Sequence, residues 1–284
     1  MAHKWALLVL CVTGLLATCQ AGFYDQFHAS YGPQNIHTSP PNAVEISLDA
    51  QGVGSTFVSN NSYLFGDFSV QLKLVEGNSA GTVAAFFIIS TGLYHDEVDF
   101  EFLGNVSGEP YILHTNLFAN GTGDREQEIY LWFDPTADFH TYRVVWNHYQ
   151  VLWFVDDIPI RVYHNIDNVA PLTFPMFRPM VVSGCIFDGS QWATQGGRIK
   201  VDYTAAPFNV YFENFALDAC IATSDNGAAC GENYAGNSWE LAPYNTFSTD
   251  WQNQLDWVYQ HYQHYDYCTD ASRGPTPVEC PYNR

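Results

Sequence analysis

The sequence is 284 residues long, with 30 acidic against 10 basic side chains and a formal net charge of −20. Such an acidic chain repels nucleic acid and anionic lipid, and leaves a neutral partner indifferent to its charge. Aromatic residues make up 16% of the chain and charged residues only 14%, a balance that suits β-sheet cores first and stacking on sugar rings second.

Lys4, an apolar run over residues 6–16 and small residues ending at Ala21 read as a secretory signal peptide, residues 1–21, cleaved before Gly22. The apolar run is too short to span a bilayer. The mature chain then has the length of one large all-β domain plus a modest extension. Asn60, Asn105 and Asn120 each open an Asn-x-Ser/Thr sequon, which in a secreted chain is a glycan acceptor site on the surface.

From residue 44 to residue 215 short alternating segments and turns dominate. Residues 68–74 place Phe68, Val70, Leu72 and Leu74 on one face, a period of two. Residues 141–146 and 151–155 flank the polar turn Asn147-His148-Tyr149-Gln150, a hairpin signal, and Asp156-Asp157 turns the chain into residues 158–163. Many short strands at close spacing predict an all-β fold, a two-sheet antiparallel β-sandwich of the jelly-roll, concanavalin-like kind. The pattern changes after Asp218, so the sandwich domain is expected over 22–218 and a cysteine-rich extension over 219–284. Within the extension, residues 219–238 read as a loop. Apolar and aromatic residues at 251, 255, 258, 259 and 262 predict a short helix over 251–265.

Cys11 and Cys19 leave with the signal peptide. Cys220, Cys230, Cys268 and Cys280 cluster in the extension, and in a secreted chain four cysteines suggest two bridges. Three connectivities are possible. Cys220–Cys230 with Cys268–Cys280 is the favoured one because each bond closes a short loop. Cys185 lies in an apolar stretch and reads as a buried thiol.

The chemistry lies in His95-Asp96-Glu97-Val98-Asp99-Phe100-Glu101-Phe102-Leu103-Gly104-Asn105. On a strand, His95, Glu97, Asp99 and Glu101 share one face, and Val98, Phe100 and Phe102 share the core face. Asp96 falls on the core-side parity and requires a partner there or the strand end. Three carboxylates in a row repel one another, which a merely solvated strand has no reason to tolerate. A retaining glycosidase uses such a pair, one carboxyl ionised as nucleophile and one protonated as acid, about 5–5.5 Å apart. Glu97 and Glu101 are about 13 Å apart along an extended strand, so their side chains must lean together over a curved sheet. Asp99 between them can hold one ionised and the other protonated. Spacing does not say which glutamate does which job. One histidine in a row of carboxylates is poor geometry for zinc, so no catalytic metal is expected here, a structural calcium elsewhere stays open, and no cofactor is expected.

This strand resembles the signature of the plant xyloglucan endotransglucosylase/hydrolase proteins, within glycoside hydrolase family 16. Its Glu-x-Asp-x-Glu spacing is also similar to that of bacterial lichenases. His114-Thr115-Asn116, Gly123-Asp124-Arg125-Glu126-Gln127 and Trp132-Phe133-Asp134-Pro135-Thr136 follow in the plant group's order, as do Trp192-Ala193-Thr194 with Gly196-Gly197, Ala206-Pro207-Phe208 and the four-cysteine tail with Tyr267-Cys268-Thr269-Asp270. The resemblance spans nearly the whole mature chain. It implies Glu97 as nucleophile, Glu101 as acid/base and Asp99 as the assisting carboxylate. It implies substrate contacts from His114, Thr115, Asn116, Asp124, Arg125, Glu126, Gln191, Trp192, Gly197 and Arg273. For Arg125 a fold-stabilising ion pair is the alternative, for Arg273 a plain surface charge, and for Trp192 a core position. The chain departs from the group at Tyr31, at Glu128, over residues 185–190 and at Gln195.

The function implied is transfer of a β-1,4-glucan segment, through a covalent glycosyl-enzyme, from a xyloglucan polymer donor to a xyloglucan oligosaccharide or polymer acceptor, or to water. The expected setting is the cell wall and apoplast, the expected state a monomer, and neither nucleic acid nor membrane is expected as a partner. Endohydrolysis of xyloglucan or mixed-linkage glucan, and a non-catalytic glycan-binding wall protein, are the alternatives.

Overall fold

The period-two alternation becomes two stacked antiparallel sheets in the computed structural model, which describes residues 22–171, 173–223, 230 and 236–283. The expected signal peptide lies outside the described residues.

In chain order the strands are β1 (Phe27–Tyr31), β2 (Ile36–Ser39), β3 (Ala43–Leu48), β4 (Ser55–Ser59), β5 (Ser62–Lys73), β6 (Thr82–Ile89), β7 (Glu97–Leu103), β8 (Ile112–Phe118), β9 (Gln127–Tyr130), β10 (His140–Trp146), β11 (Gln150–Val155), β12 (Ile158–His164), β13 (Val181–Asp188), β14 (Phe208–Ala222) and β15 (Gln263–Asp266). The site sheet has eight strands in the order β1-β4-β13-β6-β7-β8-β9-β15. The second sheet has seven, β12-β11-β10-β5-β14-β3-β2. Both orders mix sequence-distant neighbours, so the chain passes repeatedly between the sheets.

Alternating apolar side chains from both sheets fill the space between them. Val98, Phe100 and Phe102 of β7 meet Phe68, Val70 and Leu72 of β5 across a core in which all six are fully buried. Phe102 stands edge-on to Tyr142 of β10 at 4.7 Å between ring centroids. Every residue of β11 is buried, because the outer face of its sheet is covered by a helix (Thr249–His261), whose Trp251 ring lies 5.2 Å from that of Phe154. This C-terminal helix begins where the Ser248 hydroxyl accepts the Trp251 N–H, and it buries Leu255 and Val258.

The extension departs from expectation in two places. The C-terminal helix stops at His261 rather than continuing to 265, because residues 263–266 pair with β9 and add the edge strand β15. The unpaired backbone of β9 attracts them: the Tyr130 N–H already donates to the Tyr262 carbonyl at 2.9 Å. Residues 219–222, expected as loop, continue strand β14, since Ile221 and Ala222 find register partners in Tyr63 and Ser62 of β5. Cys220 is bonded to Cys230, and Cys268 to Cys280. Cys185 is a buried free thiol.

Candidate active site

Strand β7 carries the carboxylates away from the core. Its register sets Glu97 between Ile89 and Phe118, Asp99 between Phe87 and Asn116, and Glu101 between Ala85 and His114. The row through Glu101 runs further across the sheet, from Thr56 and Cys185 on one side to Glu128 on the other. The strand is pinned from behind: Trp153 of the second sheet donates its indole N–H to the Asp99 carbonyl at 3.1 Å.

Each glutamate has a histidine. His95 Nε2 lies 3.2 Å from Glu97 Oε2, and His114 Nδ1 lies 2.7 Å from Glu101 Oε2. Asp99 is buried between them, and its carboxyl is held well above the ordinary range, first by burial and then by the negative charges of Glu97 and Glu101. A protonated Asp99 is therefore the donor in its hydrogen bond with Glu97. Its Oδ1 is buried without a partner, a state that costs least when the carboxyl is neutral. Burial also raises Glu97, with the charge of Glu101 adding, while the Asp99 hydrogen bond and His95 pull it back. The arrangement favours a proton on the central aspartate and a negative charge on Glu97. Burial together with the three carboxylates keeps the Cys185 thiol protonated.

Asp96 stands at the strand end, immediately before β7, and is buried with polar partners. The Asn120 N–H donates to its Oδ1 at 2.7 Å, and Arg178 reaches both oxygens at 3.3 Å.

The other implied site residues divide. His114 and Asn116 share the carboxylate face by register. Asn116 Oδ1 accepts the N–H groups of Leu117 and Arg125 at 2.8 and 3.1 Å. Trp192 is 41% exposed and its ring stands 5.9 Å from that of His114, which excludes the core position. Gln191 is exposed beside it, and Gly197 takes a positive φ of 78° where a Cβ would meet the Gln191 carbonyl oxygen at 2.3 Å. Thr194 anchors this loop, accepting the Gly81 N–H at 2.7 Å and donating to the Gly104 carbonyl at 2.6 Å. Arg273 reaches Glu126 at 2.5 Å and the Asp124 carbonyl at 2.9 Å, and lies 5.5 Å over the Tyr265 ring.

Two implied contacts are corrected. Thr115 falls opposite Phe100, on the core face of β8, where its hydroxyl accepts from Arg161 at 2.9 Å and it cannot meet a ligand on the other side. Arg125 turns its guanidinium inward to Glu279 at 2.8 Å and to the Leu117 carbonyl at 3.3 Å, and also donates to the Thr122 carbonyl. It is the fold-stabilising ion pair. Its backbone N–H, not its side chain, faces Asn116.

Three supporting residues escape a reading of the sequence: Trp153, Arg161 and Glu279. Arg161 is buried and donates to the carbonyls of Thr115 and Arg125 at 2.9 and 2.6 Å. A lone arginine inside the otherwise apolar run Ile158-Pro159-Ile160-Arg161-Val162-Tyr163 is the available signal. Of the sequon asparagines, Asn60 is exposed, whereas Asn105 and Asn120 are half-buried. Asn105 donates Nδ2 to the Pro110 carbonyl at 3.1 Å. Among the described residues no three His, Cys, Asp or Glu side chains gather to hold a metal ion.

Known proteins resemble this chain in sequence and in fold. Residues 23–205 match the model of glycosyl hydrolases family 16. Xyloglucan endotransglucosylase protein 1 of Diospyros kaki is 42% identical, over 96% of this chain and 93% of that protein. Putative xyloglucan endotransglucosylase/hydrolase protein 13 of Arabidopsis thaliana is 42% identical over 99% and 98%. Among solved structures, the apo form of the Crh5 transglycosylase superposes with a TM-score of 0.58 at 26% identity, covering 70% of this chain and 80% of that one. The chain belongs to glycosyl hydrolases family 16, in its xyloglucan endotransglucosylase/hydrolase group.

Proposed function

We propose that this chain cuts the β-1,4-glucan backbone of xyloglucan with retention and passes the new end to a second xyloglucan, in the plant cell wall. The observation that carries the reading is the row Glu97, Asp99 and Glu101 on one strand, with His95 against Glu97 and His114 against Glu101. Glu97 attacks the anomeric carbon and holds the glycosyl as an ester. Asp99 and His95 keep Glu97 ionised for that attack. Glu101 protonates the leaving glucosyl oxygen, then takes the hydroxyl proton of the incoming acceptor.

The acceptor stands on the β8 side of β7. Trp192 gives it an aromatic platform. Glu126 and Arg273, fixed to each other, and the Asn116 amide, whose oxygen is already occupied, give it polar partners. Asp124, Gln191 and the close approach at Gly197 complete that wall. Holding an acceptor hydroxyl beside Glu101 gives it an advantage over water that concentration alone does not supply. The two disulfides suit an oxidising extracellular setting, and exposed Asn60 is the most accessible of the sequon asparagines for a glycan.

The test combines two measurements. Glu97→Ala loses turnover with the fold intact, and azide restores part of it by supplying the missing nucleophile. Xyloglucan incubated with labelled xyloglucan oligosaccharide moves label into long polymer with little rise in reducing ends. A rise in reducing ends without label in polymer makes the chain a hydrolase. A Glu97→Ala variant with near-normal rates refutes the mechanism.

A further inference from the structure

Glu101 is not alone in handling its proton. His114 Nδ1 lies 2.7 Å from Glu101 Oε2, on the neighbouring strand and directly opposite it in register. The imidazole is almost wholly buried, with side-chain exposure of 9%, and is flanked by the Trp192 ring. Two groups at that separation cannot both present a lone pair without cost; one proton belongs between them.

We propose that His114 is a positioning residue that shares the acid/base proton with Glu101, resting on the reading of Glu101 as acid/base above. Before reaction the pair holds one proton, exchanged between the Glu101 carboxyl with neutral His114 and the Glu101 carboxylate with His114 imidazolium. The first step moves that proton to the leaving oxygen, so the glycosyl-enzyme carries neutral His114 beside the Glu101 carboxylate. The second step returns a proton from the acceptor hydroxyl to Glu101, and the pair is restored. His114 touches neither the sugar nor the leaving oxygen in this scheme; it acts only through the proton it shares with Glu101. It holds the Glu101 carboxyl in one orientation and gives the shared proton a second basic site 2.7 Å away, which a neutral amide does not offer.

The surroundings of His114 fit that role. From β7 it faces Glu101, with Asp99 and Glu97 beyond. From β9 it faces Glu128, whose own partner is His264 of β15 at 3.9 Å. The thiol of Cys185 lies further along the same row, and the Glu126–Arg273 pair closes on itself. Behind β8, Arg161 and Arg125 spend their donors on carbonyls and on Glu279. The carboxylates outnumber the cations on the outer face, which favours retention of the shared proton on the pair.

Two measurements decide it. His114→Gln keeps a hydrogen-bonding group beside Glu101 but cannot titrate, so the alkaline limb of the kcat/KM profile should fall by about one pH unit. An unmoved limb in a folded variant overturns the proposal. Independently of turnover, the His114 imidazole is followed by NMR in the wild-type chain and in Glu101→Gln. Its pKa should drop by about one unit or more when the glutamate charge is removed; equal titration in both proteins overturns the proposal even if His114→Gln fails to fold. Turnover of Glu101→Gln tests the acid/base role separately. If that variant is inactive and the His114 results are negative, only the shared proton falls. If it remains active, the acid/base reading itself falls.

Discussion

Arg125 and Glu279, 154 residues apart in sequence, meet at 2.8 Å with both side chains buried beside β8. Through this pair the C-terminal extension holds the strand end that carries Asn116, because the Arg125 N–H and guanidinium also bond Asn116 Oδ1 and the Leu117 carbonyl. Glu279→Ala leaves a buried guanidinium without its counter-ion, so it should lower stability by about 3–5 kcal/mol. Urea unfolding at neutral pH measures this. A loss below about 1 kcal/mol would mean that the pair is solvated and the tail does not support the site.

His95 Nε2 sits 3.2 Å from Glu97 Oε2 and pulls the Glu97 carboxyl down against the burial that raises it. His95→Gln removes that pull. The nucleophile then ionises at higher pH, and the acid limb of kcat/KM should move upward while the alkaline limb stays in place. The pH–rate profile is the check, and a limb that moves down or not at all contradicts the assignment of that limb to Glu97.

Much of this site is legible in the sequence and much of its support is not. The alternation Glu97, Asp99, Glu101 against Val98, Phe100, Phe102 fixes which side chains share a face, because a strand has no other period, whereas His95 stands just before the strand. Asp96 lies just before the strand and is buried there, where Arg178 and the Asn120 N–H meet it. Thr115 is the exception the rule itself catches: it alternates with His114 and Asn116 and so must point to the core. The extension is harder. Nothing local says that residues 263–266 pair with β9, since an edge strand selects its partner through tertiary placement. Residues 219–222 have a loop-like neighbourhood and become strand only because β5 is long enough to pair with them. Arg161, Trp153 and Glu279 support β7 and β8 from distant elements, and separation of that kind leaves no periodic trace.

Asp99 gives a stability prediction with a definite sign. Its carboxyl is raised in the folded protein, by burial first, so the native state binds the proton more tightly than the unfolded chain. The stabilisation is complete below the unfolded carboxyl pKa of about 3.9 and is lost as pH rises through the folded value. Asp99→Asn cannot lose that proton. The melting temperature of the variant, relative to the parent, should therefore rise as pH increases from about 4. Its activity should fall less than that of Glu97→Ala or Glu101→Gln, because an amide still donates to Glu97, and its pH optimum should shift. A melting difference independent of pH would show that Asp99 is ionised in the native protein.

Trp192 separates transfer from hydrolysis. The ring is exposed and lies beside His114, whose partner Glu101 must take a proton from whatever attacks the glycosyl-enzyme. Water needs no platform to reach that position, and a sugar does. Removing the ring should therefore slow transfer while leaving hydrolysis nearly unchanged. An aromatic contact contributes about 0.5–1.5 kcal/mol beyond its buried area, so Trp192→Ala should lower the ratio of transfer to hydrolysis by roughly 2- to 12-fold. Trp192→Phe should recover part of it. The acceptor KM should rise in both variants, while the rate of donor cleavage, read with an activated aryl glycoside, changes little. The ratio is measured as labelled polymer formed per reducing end released. If Trp192→Ala slows donor cleavage as much as transfer, the ring supports the geometry of His114 and Glu101 instead of the acceptor, and the assignment of the β8 side to the acceptor loses its aromatic anchor.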